Sequence, residues 1–201
     1  MITIPYFEYT ETELTHLRRA DKKLAAAIDQ IGIIRRKINP DPFAALVESI
    51  IGQQISAKAA NTVTDRLRTL CGLDGKQLNS LTIEQIQSCG MSTRKAGYIK
   101  GIAQAAADGV VDFAQLSAMS DDEIIKTLTT LPGIGIWTAE MLLIFSLCRP
   151  NVVSYGDLAI RRGMMRLYGH KELPRERFDR YAKRYAPYGS VASLYLWEIS
   201  H

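Results

Sequence analysis

The chain has 201 residues, enough for one compact domain or two small lobes sharing a chain. Hydrophobic residues make up 47% and charged residues 23%, which excludes collagen-like and disordered classes. A formal net charge of +4 mildly favours a polyanionic partner. The longest apolar run, around Met141 to Leu147, has the length of a buried helix rather than of a membrane span, so no membrane partner is expected.

The opening segment MITIPYFEYTETE lacks a basic n-region and an apolar h-region. No secretory leader is expected, and a cytoplasmic, reducing compartment is the default. The cysteines at 71, 89 and 148 are odd in number and lack zinc-ligand spacing. Four thiolates are needed to hold an iron–sulfur cluster, so none is expected, and buried free thiols are the simplest reading.

Taken in order, the elements are helices. A first helix is predicted from about Glu11 to Gln30, with Leu14, Leu17, Leu24 and Ile28 on one face. Asp41 then caps a second helix with Pro42 in its first position, and Phe43, Leu46, Val47, Ile50 and Ile51 form its apolar stripe. Gly52 breaks that stripe, and a third helix runs from about Ser56 to Leu70, ending at Gly72. Thr82 to Gln85 and Ser120 to Glu123 have the pattern of capping boxes. Between them a helix starts at Ser92 and ends before Gly109. The helix after Gly135 is apolar nearly all round, which suits a core, and Arg149-Pro150 closes it. Another starts near Asp157, and two more fill the C-terminal region. No strand signal, repeat or linker stands out. The expectation is an all-α protein of two small helical lobes with a cleft between them, residues 45–150 forming one lobe and 1–44 with 151–201 the other.

The segment Leu131-Pro-Gly-Ile-Gly-Ile-Trp-Thr-Ala139 is the most informative. It joins two helices through a turn with glycines at 133 and 135. Glycine permits positive φ and a close approach of backbone to ligand. The amides opening the next helix, with the positive end of its dipole behind them, suit a phosphate. Gly133, Gly135, Ile136 and Thr138 are the candidate phosphate contacts. An ordinary αα-turn rich in Pro and Gly is the plainer alternative.

Three segments in combination resemble the helix-hairpin-helix DNA glycosylase superfamily. They are Ser49-Ile-Ile-Gly-Gln-Gln-Ile-Ser56, Leu131 to Ala139, and Ser154-Tyr-Gly-Asp-Leu-Ala-Ile160, with Asp157 following Gly135 by 22 positions. The likeness runs from about Asp41 to Trp197. The endonuclease III and oxoguanine branches place a nucleophilic lysine in a Gly-x-Lys-Thr-Ala pattern, where this chain has Trp137. Without that amine a Schiff-base lyase route has no evident nucleophile. Trp137-Thr-Ala matches the 3-methyladenine DNA glycosylase II (alkylbase) branch, here in a minimal form lacking that branch's extra N-terminal domain.

The resemblance implies a monofunctional DNA glycosylase that acts on alkylated purines in double-stranded DNA during base excision repair, a monomer associated with the bacterial nucleoid. Asp157 takes the catalytic role, although its residue type alone favours a helix cap. Trp137 and Trp197 match aromatic pocket positions. Tyr155 is a nearby pocket candidate, and Met141 stands where the bacterial relative has a tyrosine. Tyr188 reads as core packing. Gln54, with Gln53, is the candidate plug for the gap left by a flipped base. The backbone carbonyls of Thr129, Leu131 and Ile134 match those that hold a sodium or potassium ion in relatives; no other cofactor is implied. Arg161, Arg162 and Arg166 flank the implied DNA path, whereas Arg175, Arg177, Arg180, Lys183 and Arg184 read as a solvated helix face. A glycosylase for deaminated purines, a DNA-binding module without catalysis and a helical interaction scaffold remain the alternatives.

Overall fold

A computed structural model describes residues 5–201. Residues 1–4, which open the segment read above as lacking a leader, lie outside the described residues. Among the described residues the regular structure is twelve α-helices and one 3-10 turn, Leu116–Ala118. Extended pairing is limited there to one isolated antiparallel bridge, Tyr6 to Lys37. The protein is all-α. No helix among the described residues is long and apolar enough to cross a membrane. The chain divides into two compact units, residues 39–142 and residues 1–38 with 143–201. The dividing points fall a few residues before those read from the sequence, the second of them inside a helix.

Residues 39–142 carry α3 (Pro42–Gly52), α4 (Ala57–Cys71), α5 (Gly75–Ser80), α6 (Ile83–Gln87), α7 (Thr93–Ala107), α8 (Asp121–Leu128) and most of α9 (Ile136–Phe145). Six of these helices start at a side chain that accepts from the first turn: Asp41, Ser56, Asp74, Thr82, Ser92 and Ser120. Both expected capping boxes form, Thr82 with Gln85 and Ser120 with Glu123. The whole predicted stripe of α3 is buried. Helix α7 packs on α3, α5 and α6 and buries Ile99 and Ile102 completely. Each such side chain contributes roughly 1.5–3 kcal/mol. Helix α5 was not foreseen: it is six residues long and opens on glycine, a poor helix former.

The other unit carries α1 (Glu11–Ala20), α2 (Lys22–Ile31), α10 (Leu158–Tyr168), α11 (Arg175–Tyr185) and α12 (Gly189–Ile199). The single first helix expected from the sequence is two. Asp21 is extended at φ −148° and ψ 113°, and its carboxylate accepts from the amides of Lys23 and Leu24. Its other oxygen accepts from the Tyr168 hydroxyl at 2.6 Å and from Arg184 at 3.2 Å. The apolar spacing runs unchanged through this corner, since Leu14, Leu17, Leu24 and Ile28 are all buried, and so it could not reveal the break. Burial pushes the phenols of Tyr168 and Tyr185 well above the usual tyrosine range.

Helix α12 is the centre of this unit, with Gly189 to Leu196 buried without interruption. It lies very close to α10. A Cβ on Gly163 would fall 1.9 Å from the Leu196 carbonyl oxygen. Of the thiols expected to be buried, Cys71 and Cys89 are, but Cys148 is exposed, at φ +52° in the turn after α9. That turn begins after Phe145, earlier than the expected closure at Arg149-Pro150.

Candidate functional site

The hairpin between α8 and α9 is shaped by its backbone. Thr129 ends α8, and the turn is held by Leu131 N–H to Leu128 O at 3.0 Å and Ile134 N–H to Leu131 O at 3.3 Å. Gly133 has φ +80°, and a Cβ there would lie 2.3 Å from the Tyr98 ring on α7. Glycine is required at 133 on both counts. Gly135 is different. Its φ is not left-handed and nothing lies within 4 Å of where its Cβ would be, so the conformational argument applies to 133 alone. What Gly135 offers is a bare, exposed approach to the start of α9.

The ladder of α9 begins with Ala139 N–H to Gly135 O at 3.1 Å, so the amides of Ile136 and Thr138 precede it. The first turn does not behave as core: Ile136 is 62% and Trp137 43% exposed, while Thr138 is buried. Trp137 and Met141, four residues apart, share a helix face. Thr129, Leu131 and Ile134 bring backbone carbonyl oxygens, hard donors of the kind an alkali cation takes; that of Leu131 already accepts from Ile134 N–H, and Thr129 stands at a helix C-terminus, where carbonyls lack helical partners. Among the described residues no cluster of three or more His, Cys, Asp or Glu could hold a metal ion.

The turn between α3 and α4 separates the two glutamines singled out above. Gln54 is exposed at φ +59°. Gln53 is half-buried, and its amide donates to Gly133 O at 3.2 Å.

In the other unit Asp157 caps α10 and is only 7% exposed. Its Oδ1 accepts from Ile160 N–H at 2.8 Å and from the Trp197 indole N–H at 3.2 Å. Asp157 and Trp197, 40 positions apart in the chain, thus meet at one oxygen. The preceding segment is stitched to α12. Ser190 Oγ accepts from Val152 N–H at 3.0 Å and donates to Arg149 O, Ser193 Oγ donates to Val152 O at 2.8 Å, and Asn151 Oδ1 accepts from Gly189 N–H at 3.2 Å. The same helix then presents Trp197, whose ring lies 5.3 Å from that of Phe145, tilted by 32°. The sequence did carry a trace of this clamp: serines at 190 and 193 in an otherwise apolar helix, followed by a tryptophan four residues on.

Tyr155 is engaged differently. Its ring takes the guanidinium groups of Arg161 at 5.2 Å and Arg175 at 4.9 Å, and meets Phe178 edge-on at 5.1 Å. Arg166 donates to Ile199 O at 3.2 Å, and Arg162 is exposed. In the second basic cluster, Arg175 pairs with Asp179 and Arg184 with the buried Asp21. Tyr188 meets His16 edge-on, and His16 and His170 bond to Ala186 O and to the Tyr181 hydroxyl.

Residues 47–187 match the family model of the HhH-GPD superfamily base excision DNA repair proteins. The chain is 31% identical over 197 residues to DNA-3-methyladenine glycosylase 1 of Schizosaccharomyces pombe, covering 94% of this chain and 86% of that one. The crystal structure of a DNA-3-methyladenine glycosidase from Bacillus halodurans is similar, with TM-score 0.86, 36% identity, and coverage of 98% of this chain and 93% of that one. A Schizosaccharomyces pombe 3-methyladenine DNA glycosylase in complex with abasic DNA gives TM-score 0.79 at 30% identity, covering 93% and 95%.

Proposed function

The chain belongs to the HhH-GPD superfamily of base excision DNA repair proteins, and we propose that it is a monofunctional DNA glycosylase that hydrolyses the N-glycosidic bond of alkylated purines, 3-methyladenine and 7-methylguanine among them, in duplex DNA. The observation that carries this reading is Asp157, a buried carboxylate held at a helix N-terminus by the Ile160 amide and the Trp197 indole. The names of the similar proteins support the same substrate class.

A purine alkylated at N3 or N7 carries positive charge. The bond from the sugar C1′ to the base can therefore break with its electron pair leaving on the base, without a strong general acid. The sugar becomes oxocarbenium-like. Asp157 is the group that stabilises this cation and orients the water that adds at C1′ and gives up a proton. A base inside the duplex must first be extruded. A cationic base gains about 0.5–2 kcal/mol against an aromatic face, the role proposed for Trp197 and, in the other unit, for Trp137. Gly133, Gly135, Ile136 and Thr138 present backbone to a phosphate, which anchors the protein without reading sequence. A sodium or potassium ion on the carbonyls of Thr129, Leu131 and Ile134 would supply positive charge beside that phosphate. Trp137 occupies the position where a lyase would carry its lysine, so the reaction ends at the abasic site.

The test is release of free 3-methyladenine and 7-methylguanine from methylated duplex DNA. The native chain should release both, and Asp157→Asn should be slower by about 10²–10³-fold or more while still binding the duplex, because asparagine also caps helices. A native chain that binds DNA but releases neither base overturns the alkylpurine reading and leaves deaminated purines or a binding role.

A further inference from the structure

The turn between α3 and α4 is held by groups that the chemistry above does not use. Gln54 stands at φ +59° with its side chain exposed, and Ile55 beside it is 42% exposed. Left-handed backbone is unfavourable for a glutamine, so its surroundings must impose it. Two contacts do so. Lys95 Nζ donates to Ile51 O at 2.8 Å and also to Gln53 O. Gln53 Nε2 donates to Gly133 O in the hairpin.

Lys95 is in an unusual place. It lies in the first turn of α7, where the helix dipole disfavours an ammonium, and next to Arg94. Burial, and then the charge of Arg94, lower its pKa from the usual lysine value. At the end of α3 the electrostatics reverse, since terminal carbonyls carry the negative end of that helix. The ammonium is therefore badly placed for its own helix and well placed to cap another.

We propose that Lys95 and Gln53 are positioning residues for the loop that fills the gap left by an extruded base: Lys95 ties the end of α3 to α7, Gln53 ties the loop to the hairpin, and together they present Gln54 and Ile55 in one conformation. Gln53 is then a strut and not part of the plug. The proposal rests on the glycosylase reading.

The test uses a duplex carrying a stable abasic analogue with 2-aminopurine as its neighbour, whose fluorescence reports insertion into the stack. The native chain should change the fluorescence and prefer this duplex to an intact one. Lys95→Met should lose most of the fluorescence change and bind the abasic duplex about fivefold more weakly, with intact-duplex binding within about twofold of native, because only preorganisation of the loop is lost. Lys95→Arg should restore much of the signal. Should Lys95→Met fail to fold, Gln53→Met, which alters no charge, should show the same pattern at about half the size. A full native signal in whichever of these variants folds overturns the proposal. An equal loss on intact and abasic duplexes also overturns it, because that pattern marks general damage. A native chain that gives no response to the abasic duplex overturns this inference, whereas the glycosylase reading stands or falls separately on base release.

Discussion

The hairpin at residues 129–139 and the segment around Asp157 both end at the start of a helix, yet they are made from different materials. The hairpin works through backbone. Its shape comes from one left-handed glycine and two turn hydrogen bonds, all within seven residues of sequence. The Asp157 segment works through side chains. Its geometry depends on Ser190, Ser193 and Trp197 of α12 and on the close approach of that helix to α10 at Gly163. A backbone site can be written as a short motif. A side-chain site needs the tertiary structure to bring its parts together, and it fails by different mutations.

The sharpest way to break the second site without touching its polar groups is Gly163→Ala. The new Cβ would lie 1.9 Å from a backbone oxygen that no side-chain rotation can move. Helices α10 and α12 would have to separate. The expected cost is about 3 kcal/mol or more, a fall in melting temperature of roughly 6–12 °C. Unfolding by heat or urea checks it. A melting temperature within about 2 °C of native would mean that the contact between these helices is looser than described.

The hairpin offers the matching test in a pair of glycines. Gly133→Ala meets both a left-handed φ and the Tyr98 ring, and should lose about 2 kcal/mol of stability. Gly135→Ala meets neither and should stay within about 0.5 kcal/mol of native. Its loss should appear in duplex binding, where the added methyl obstructs approach to the amides of α9. Measuring stability and binding side by side separates the two roles. If Gly135→Ala bound DNA as well as native, the bare approach at 135 would not be a phosphate contact.

What the sequence made legible follows the same division. Caps and capping boxes are local: those expected at Asp41, Thr82 and Ser120 form, Asp157 caps its helix as its residue type suits, and the helix starts read at Ser56 and Ser92 are caps as well. The break at Asp21 is also a cap, but its satisfaction comes partly from Tyr168 and Arg184, well over a hundred positions away, and the apolar spacing hid it. Asp41 and Asp157 look alike in sequence, each an aspartate before a helix. Burial and the indole of Trp197 separate them, and neither is visible in the residues nearby. Trp197 could be read as aromatic and near the end of the chain. That its N–H points at Asp157 could not.

That indole bond supports the most specific prediction. Trp197→Phe keeps a smaller aromatic ring on α12 and removes the donor to Asp157 Oδ1. A hydrogen bond to a charged acceptor contributes about 1.5–3 kcal/mol, so at the lower end of that range base release should slow by about tenfold. If the bond orients the carboxylate, the loss belongs in the single-turnover rate, and the affinity for a lesion-bearing duplex should change little. If Trp197 acts chiefly as a stacking face for the base, the phenylalanine ring should preserve the rate, and Trp197→Leu should weaken binding. The two results divide the tryptophan's contribution between its edge and its face, and so decide whether α12 serves this site by aiming Asp157 or by lining the pocket.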